Sequence, residues 1–179
     1  MSDHSSSCRN YFDLFGLAPL FALDRQRLEQ HYREIQQRVH PDRHALGSDN
    51  ERRLAAQWTS LANEGFQTLR HPLRRAQYIL QLQPVTAIPR SLPSAFLVEQ
   101  LEWRESLQQA KANRDTDRLT QLYCVVQQQA ATLELQLQDL FDIKGDYTAA
   151  AGLVQQGQFL EKLAGEITTS LDEIADTGS

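Results

Sequence analysis

The stretch RVHPDRHALGS, residues 38–48, decides the fold. Pro41 lacks an amide proton and disfavours helical angles at His40, so a helix arriving from the N-terminal side must stop near Val39. Ser48, followed three residues later by Glu51, is a capping-box signature that starts another helix. Upstream, Asp24 suits an N-cap, and Leu28, Tyr32, Ile35 and Val39 recur at spacings of four, three and four on one helix face. Arg25, Glu29, Arg33 and Gln36 lie on the other side. Downstream, Leu54, Trp58, Leu61, Gly65 or Phe66, and Leu69 form a second apolar stripe. Two such helices joined by a loop of about eight residues pack as an antiparallel hairpin. A short helix over Tyr11–Phe15 and another after Pro72, which suits a first helical position, are expected to cover the hairpin's ends.

A second module follows. QLQPVTAIPRSLP, residues 81–93, holds three of the six prolines and lacks a helical period, so it reads as a linker between residues 1–80 and 94–179. Beyond Pro93 there is no proline, and Leu, Gln, Ala and Glu, all good helix formers, dominate. Three helices are expected: Ser94 to Ala112; Thr116 to Phe141, capped by Asp115; and Tyr147 to Ile174, capped by Asp146. Their stripes are Leu119, Leu122, Val126, Leu133, Leu137 and Leu140 in the second, and Ala150, Leu153, Leu160, Leu163, Ile167, Leu171 and Ile174 in the third. Short polar connections favour antiparallel neighbours, hence an all-α chain ending in a three-helix bundle.

Composition narrows the function. The net charge of -5 divides unevenly, +2 over residues 1–80 and -7 over residues 81–179, and all five histidines fall in the first part. A surplus of +2 is too weak for nucleic-acid binding, which relies on several phosphate contacts. No apolar run approaches the roughly 18 residues of a membrane span, and the polar start offers no signal core, so a cytoplasmic protein is expected. Cys8 and Cys124 form neither a metal knuckle nor a disulfide framework, and Cys124 is expected to be a small buried hydrophobe.

The loop itself could do chemistry in three ways. Asp42 orienting His40 would suit a hydrolase, but the sequence supplies no recognisable nucleophile and oxyanion donors. His40, Asp42 and His44 could converge on a metal, yet Arg43 sits between them and no fourth ligand is evident. A rigid loop displaying donors and acceptors on a stiff hairpin is a natural recognition element. His40-Pro41-Asp42 at the tip of a helical hairpin resembles the J-domain family, whose defining motif is His-Pro-Asp between its second and third helices. Tyr11-Phe12-Asp13-Leu14-Phe15-Gly16-Leu17, and Asn63 with Phe66, Leu69, Pro72, Arg75 and Tyr78, support the likeness. Arg43 replaces the usual lysine, keeping charge but not shape, and Gly65 replaces the usual alanine at about 1 kcal/mol of helix propensity.

The resemblance extends further. Leu69-Arg70-His71-Pro72-Leu73, the proline-rich link and Ala95-Phe96-Leu97-Val98-Glu99-Gln100-Leu101-Glu102 with Arg104-Glu105 are similar to the HscB family, J-type co-chaperones of iron-sulfur cluster assembly. A cysteine-rich N-terminal extension found on some eukaryotic members is missing, which points to a bacterial-type protein. The resemblance implies no enzyme activity and no cofactor in this chain. It implies a J-domain that docks a dedicated, HscA-like 70-kDa heat-shock chaperone and stimulates its ATPase. His40, Pro41, Asp42 and Arg43 would make that contact, with Arg25, Arg33 and Arg38 as a basic helix face steering an acidic partner. In the helix from Ser94, Phe96, Trp103, Leu107 and Ala110 share one face, while Leu97, Val98 and Leu101 lie away from it, bordered by Glu102 and Glu105. An apolar centre with an acidic rim suits a protein interface. The resemblance makes Leu97, Val98, Leu101, Glu102, Glu105 and Phe159 the set that binds the iron-sulfur scaffold protein. Two rivals stay open: a J-protein serving another client, and a direct iron or cluster carrier using His31, His40, His44 or Cys8.

Overall fold

A computed structural model of the chain describes residues 10–39, 48–83 and 92–177, and among these every regular element is helical. The chain divides into two compact units, Met1–Leu82 and Gln83–Ser179.

The first unit is a hairpin with two lids. Helix α1 (Tyr11–Leu14) is capped by Asn10, whose side chain accepts from the Asp13 amide at 2.9 Å. It drives Phe12 and Phe15 into the core, where both are essentially inaccessible. Helix α2 (Arg25–Val39) starts at Asp24, whose carboxylate accepts from the Gln26 and Arg27 amides at 3.0 and 3.1 Å. Helix α3 (Asp49–Arg70) opens on a complete capping box: the Ser48 amide donates to Glu51 Oε2 at 2.7 Å, and the Glu51 amide donates back to Ser48 Oγ at 3.4 Å. Helix α4 (Pro72–Leu82) begins on the proline, where a missing amide proton costs nothing.

The apolar stripe of α3 departs from the sequence expectation at two positions. Gly65 and Leu69 face inward as expected, with Trp58 and Phe66 half-buried, but Ala55 and Ala62 are buried in place of Leu54 and Leu61, which stay 53% and 37% exposed. Small residues win because the neighbours come close. A β-carbon on Gly65 would sit 3.0 Å from Tyr11 Cδ1 and 3.1 Å from Phe15 Cε2, so the glycine is the room into which α1 packs, beyond its cost in helix propensity. Polar locks complete the hairpin. Tyr32 stacks on Phe66 at 4.1 Å between centroids and donates to Asn63 Oδ1 at 2.8 Å, while His31 Nδ1 hydrogen-bonds the Phe15 carbonyl.

Arg75 is the buried pin of this unit. Only 3% exposed, it donates from Nη1 to the Leu69 carbonyl at 2.7 Å and lies over the Phe21 ring at 4.7 Å. Arg75→Ala strands a buried carbonyl at about 1–3 kcal/mol, loses a desolvated cation–π contact of about 2 kcal/mol and leaves a void. A net destabilisation of about 3 kcal/mol is therefore expected; urea denaturation measures it, and a loss below about 1 kcal/mol would contradict the pinning role.

In the second unit, helices α5 (Ser94–Asn113), α6 (Thr116–Gln138) and α7 (Tyr147–Thr177) form the three-helix bundle. Arg114, at φ +53°, ends α5, and Asp115 accepts from the Arg118 amide at 2.9 Å to start α6. Phe96, Trp103 and Leu107 of α5 meet Leu119, Leu122, Val126, Leu133 and Leu137 of α6 and Leu160, Leu163 and Ile167 of α7 in a buried core. Leu153, Leu171 and Ile174 of the expected α7 stripe are half-buried, and Ala151, Val154 and Ser170 are buried beside it.

Two expectations are corrected. Helix α6 does not run on to Phe141 as an α-helix; from Asp139 to Lys144 it widens into a π-helical turn that ends on Gly145 at φ +64°. The wider turn brings residues five apart together, and Lys144 Nζ pairs with Asp139 Oδ2 at 2.5 Å while Phe141 remains buried. Cys124 is exposed rather than buried. It lies two residues from both Leu122 and Val126, which turns it about 200° from each and onto the outer side of α6.

Candidate functional surfaces

His40, Pro41, Asp42 and Arg43 lie outside the described residues; α2 ends at Val39 and the capping box at Ser48 resumes the chain. Arg25, Arg33 and Arg38 are all exposed, and Arg33 Nη2 is 3.3 Å from Glu29 Oε2. They do not form the single basic face expected of them. At about 100° per residue Arg33 stands about 80° from Arg25, and Arg38 about 140° further round. The three surround the exposed half of α2, with Arg38 on the flank of His31.

On α5 the two-sided pattern has a physical cause. Phe96, Trp103, Leu107 and Ala110 are buried, whereas Leu97, Val98 and Leu101 are 48%, 58% and 60% exposed. Leu97 projects about 110°, and Val98 and Leu101 each about 150°, away from the centre of the buried side. Glu102 and Glu105 are exposed beside them, whereas Glu99, also exposed, lies on the opposite flank of the helix. The result is an uncovered apolar strip with a carboxylate margin.

Phe159 occupies a different place from the other five. It is half-buried within an aromatic cluster, edge-on to Phe96 at 5.9 Å and stacked on Trp103 at 6.3 Å. Arg104 covers it, with the guanidinium carbon 5.4 Å from the ring centre. It thus joins α7 to the underside of α5 and fixes which way the Leu97–Leu101 strip faces. Sequence reasoning missed the Arg104 lid, since a cation–π pair separated by 55 positions leaves no periodic trace.

The displaced pKa values lie at the α1–α3–α4 joint. Burial, reinforced by the hydrogen bond that the phenol donates to the Glu64 carboxylate, pushes the Tyr11 phenol up to about 12, and burial raises Tyr78 as well. Their rings stack at 4.5 Å, and Tyr78 Oη accepts from the Tyr11 amide at 2.8 Å. Above pH 10 an unfolded chain loses the phenolic proton while the folded chain keeps it, so stability is complete below 10 and falls as pH rises through about 12. Tyr11→Phe is expected to flatten the alkaline fall of the thermal midpoint; an unchanged slope would contradict this origin.

Among the described residues no group of three or more His, Cys, Asp or Glu is placed to hold a metal ion, and no helix is long and apolar enough to cross a membrane. Of the carrier candidates, His31 is bonded to the Phe15 carbonyl, and Cys8, His40 and His44 lie outside the described residues.

An N-terminal helical hairpin followed by an all-helical C-terminal unit, with His40-Pro41-Asp42 in the sequence between the hairpin's helices, fits a J-domain co-chaperone. Residues 92–168 match the family described as HSCB C-terminal oligomerisation domain. The co-chaperone protein HscB homologs of Ralstonia nicotianae and Aromatoleum aromaticum are 42% and 41% identical, covering 96% and 93% of this chain and 99% and 96% of theirs. The chain belongs to the HscB co-chaperone family. The solved structure of chaperone HscB from Vibrio cholerae superposes with a TM-score of 0.80 at 35% identity, covering 92% of this chain and 99% of that one. Human co-chaperone protein HscB shares the fold, with a TM-score of 0.83 at 23% identity over 90% of this chain and 82% of that one.

Proposed function

We propose that this HscB-family chain is a two-contact adaptor. Residues 94–179 hold the iron-sulfur scaffold protein through Leu97, Val98, Leu101, Glu102 and Glu105, with Phe159 setting the strip's orientation and lending its edge. Residues 1–80, joined to them through the linker 81–93, dock a cytoplasmic HscA-like 70-kDa chaperone through His40, Pro41, Asp42 and Arg43, with Arg25, Arg33 and Arg38 around the same helix. The observation that carries the reading is the uncovered Leu97–Val98–Leu101 strip on a helix whose opposite face is already buried. Three apolar side chains beside two carboxylates, Glu102 and Glu105, are arranged as an interface centre and rim.

Catalysis then belongs to the partner. This chain biases the chaperone's conformational equilibrium, and it raises the scaffold's effective concentration there by holding both at once. The test is the chaperone's ATPase rate with this chain, with scaffold, and with both. Synergy is expected; simple additivity would favour a J-protein with another client. A second reading, self-association of the C-terminal unit, is supported by the family description matched by residues 92–168.

A further inference from the structure

We propose that Arg104 anchors a carboxylate of the docked scaffold protein and so fixes which way round the scaffold sits on α5; this rests on the adaptor reading and names a contact within it. Arg104 is exposed, and its guanidinium carbon stands 5.4 Å from the centre of the Phe159 ring. Among the described residues it pairs with no carboxylate and donates to no oxygen. The residues three and four places away on the helix are Gln100, Leu101, Leu107 and Gln108, none of them charged. A cation–π contact engages the charge with the ring and gives the N–H groups no oxygen to bond. Those donors, set in a rigid fork, match the geometry of a carboxylate. The ring also restrains the long side chain, so less freedom is lost on binding than for an arginine loose in solvent.

The margins of the strip differ in sign. At about 100° per residue Arg104 stands about 60° to one side of Leu101, whereas Glu105 and Glu102 stand about 40° and 100° to the other. The strip therefore has a basic edge on the Phe159 side and an acidic edge opposite. Burial of Leu97, Val98 and Leu101 is non-directional and leaves the partner free to turn. The edges remove that freedom: a partner whose carboxylate meets Arg104 in one orientation sets it against Glu102 and Glu105 when reversed.

Arg104 is also the one cation between Arg90 and Lys111, and residues 81–179 carry a net -7. A carboxylate approaching this unit meets an unfavourable net charge. Beside the strip, Arg104 is the group that accepts it.

Calorimetric titration of the full chain with the iron-sulfur scaffold protein tests this, each Asp and Glu of the scaffold being changed in turn to Asn and Gln. Arg104→Gln is expected to weaken binding about tenfold, the scale of one charge-assisted hydrogen bond, and Arg104→Glu to weaken it more. One scaffold variant is expected to show a similar loss against the native chain and almost none against Arg104→Gln, as a direct pair requires. The scaffold variants read this pair without altering the fold of the present chain. Equal losses for Arg104→Gln against every scaffold variant would overturn the anchor and leave Arg104 as a lid on Phe159. Unchanged affinity in Arg104→Gln, with binding still lost in Leu97→Ala combined with Leu101→Ala, would overturn the anchor while the adaptor reading stands. A scaffold that does not bind the native chain would overturn both.

Discussion

Leu97→Ala combined with Leu101→Ala is expected to weaken scaffold binding on the order of 100-fold, from about 1–2 kcal/mol for each apolar anchor at an interface centre and about 1.4 kcal/mol per tenfold. The effect is expected in affinity and not in folding, because both side chains are about half exposed in the free chain and contribute little to the bundle core. Calorimetric titration against the scaffold measures the loss, and ATPase stimulation in the scaffold's absence supplies the control, since it should survive. Unchanged affinity would remove the strip from the interface. Phe159→Ala is a poorer probe. Its ring is packed against Phe96 and Trp103, so truncation opens the α5–α7 joint and lowers stability along with binding.

How far the sequence reveals these features depends on the range of the interaction responsible. Caps and breaks are local: Asp24, Ser48 with Glu51, Pro72, Asp115 and Asp146 each make or start what their residue types predict within three positions. The two faces of α5 were equally legible, since Phe96, Trp103 and Leu107 account for one face and leave Leu97, Val98 and Leu101 over. What failed depended on what lay opposite. On α3 a periodic reading prefers Leu54 and Leu61 to Ala55 and Ala62, but the facing helices approach closely enough to favour the alanines and Gly65. Cys124 was misplaced by composition, although the Leu122 and Val126 positions already turn it outward. The π-helical turn and the Arg104–Phe159 contact depend on tertiary packing that no spacing rule encodes. The basic face of α2 failed for a simpler reason: steps of eight and then five residues do not return to one side of a helix.

His40→Gln is expected to abolish stimulation of the chaperone's ATPase while scaffold affinity stays within about twofold, a change of less than ~0.5 kcal/mol. The motif argument is chemical. Asp42 can accept charge-assisted hydrogen bonds from an arginine or lysine of the chaperone, each worth about 1.5–3 kcal/mol, and Pro41 limits the loop's freedom before binding. His40 offers a ring nitrogen as donor or acceptor from a plane that glutamine does not reproduce. The two proposed contacts fall in separate units, Met1–Leu82 and Gln83–Ser179, so injury to one should not reach the other. A steady-state ATPase assay and a scaffold titration on the same preparation distinguish the outcomes. Loss of both with the circular dichroism spectrum intact would argue against independent modules, and full stimulation would remove the loop from the chaperone contact. Activity that requires His40 with no chaperone present would instead revive a catalytic role for the histidine–aspartate pair.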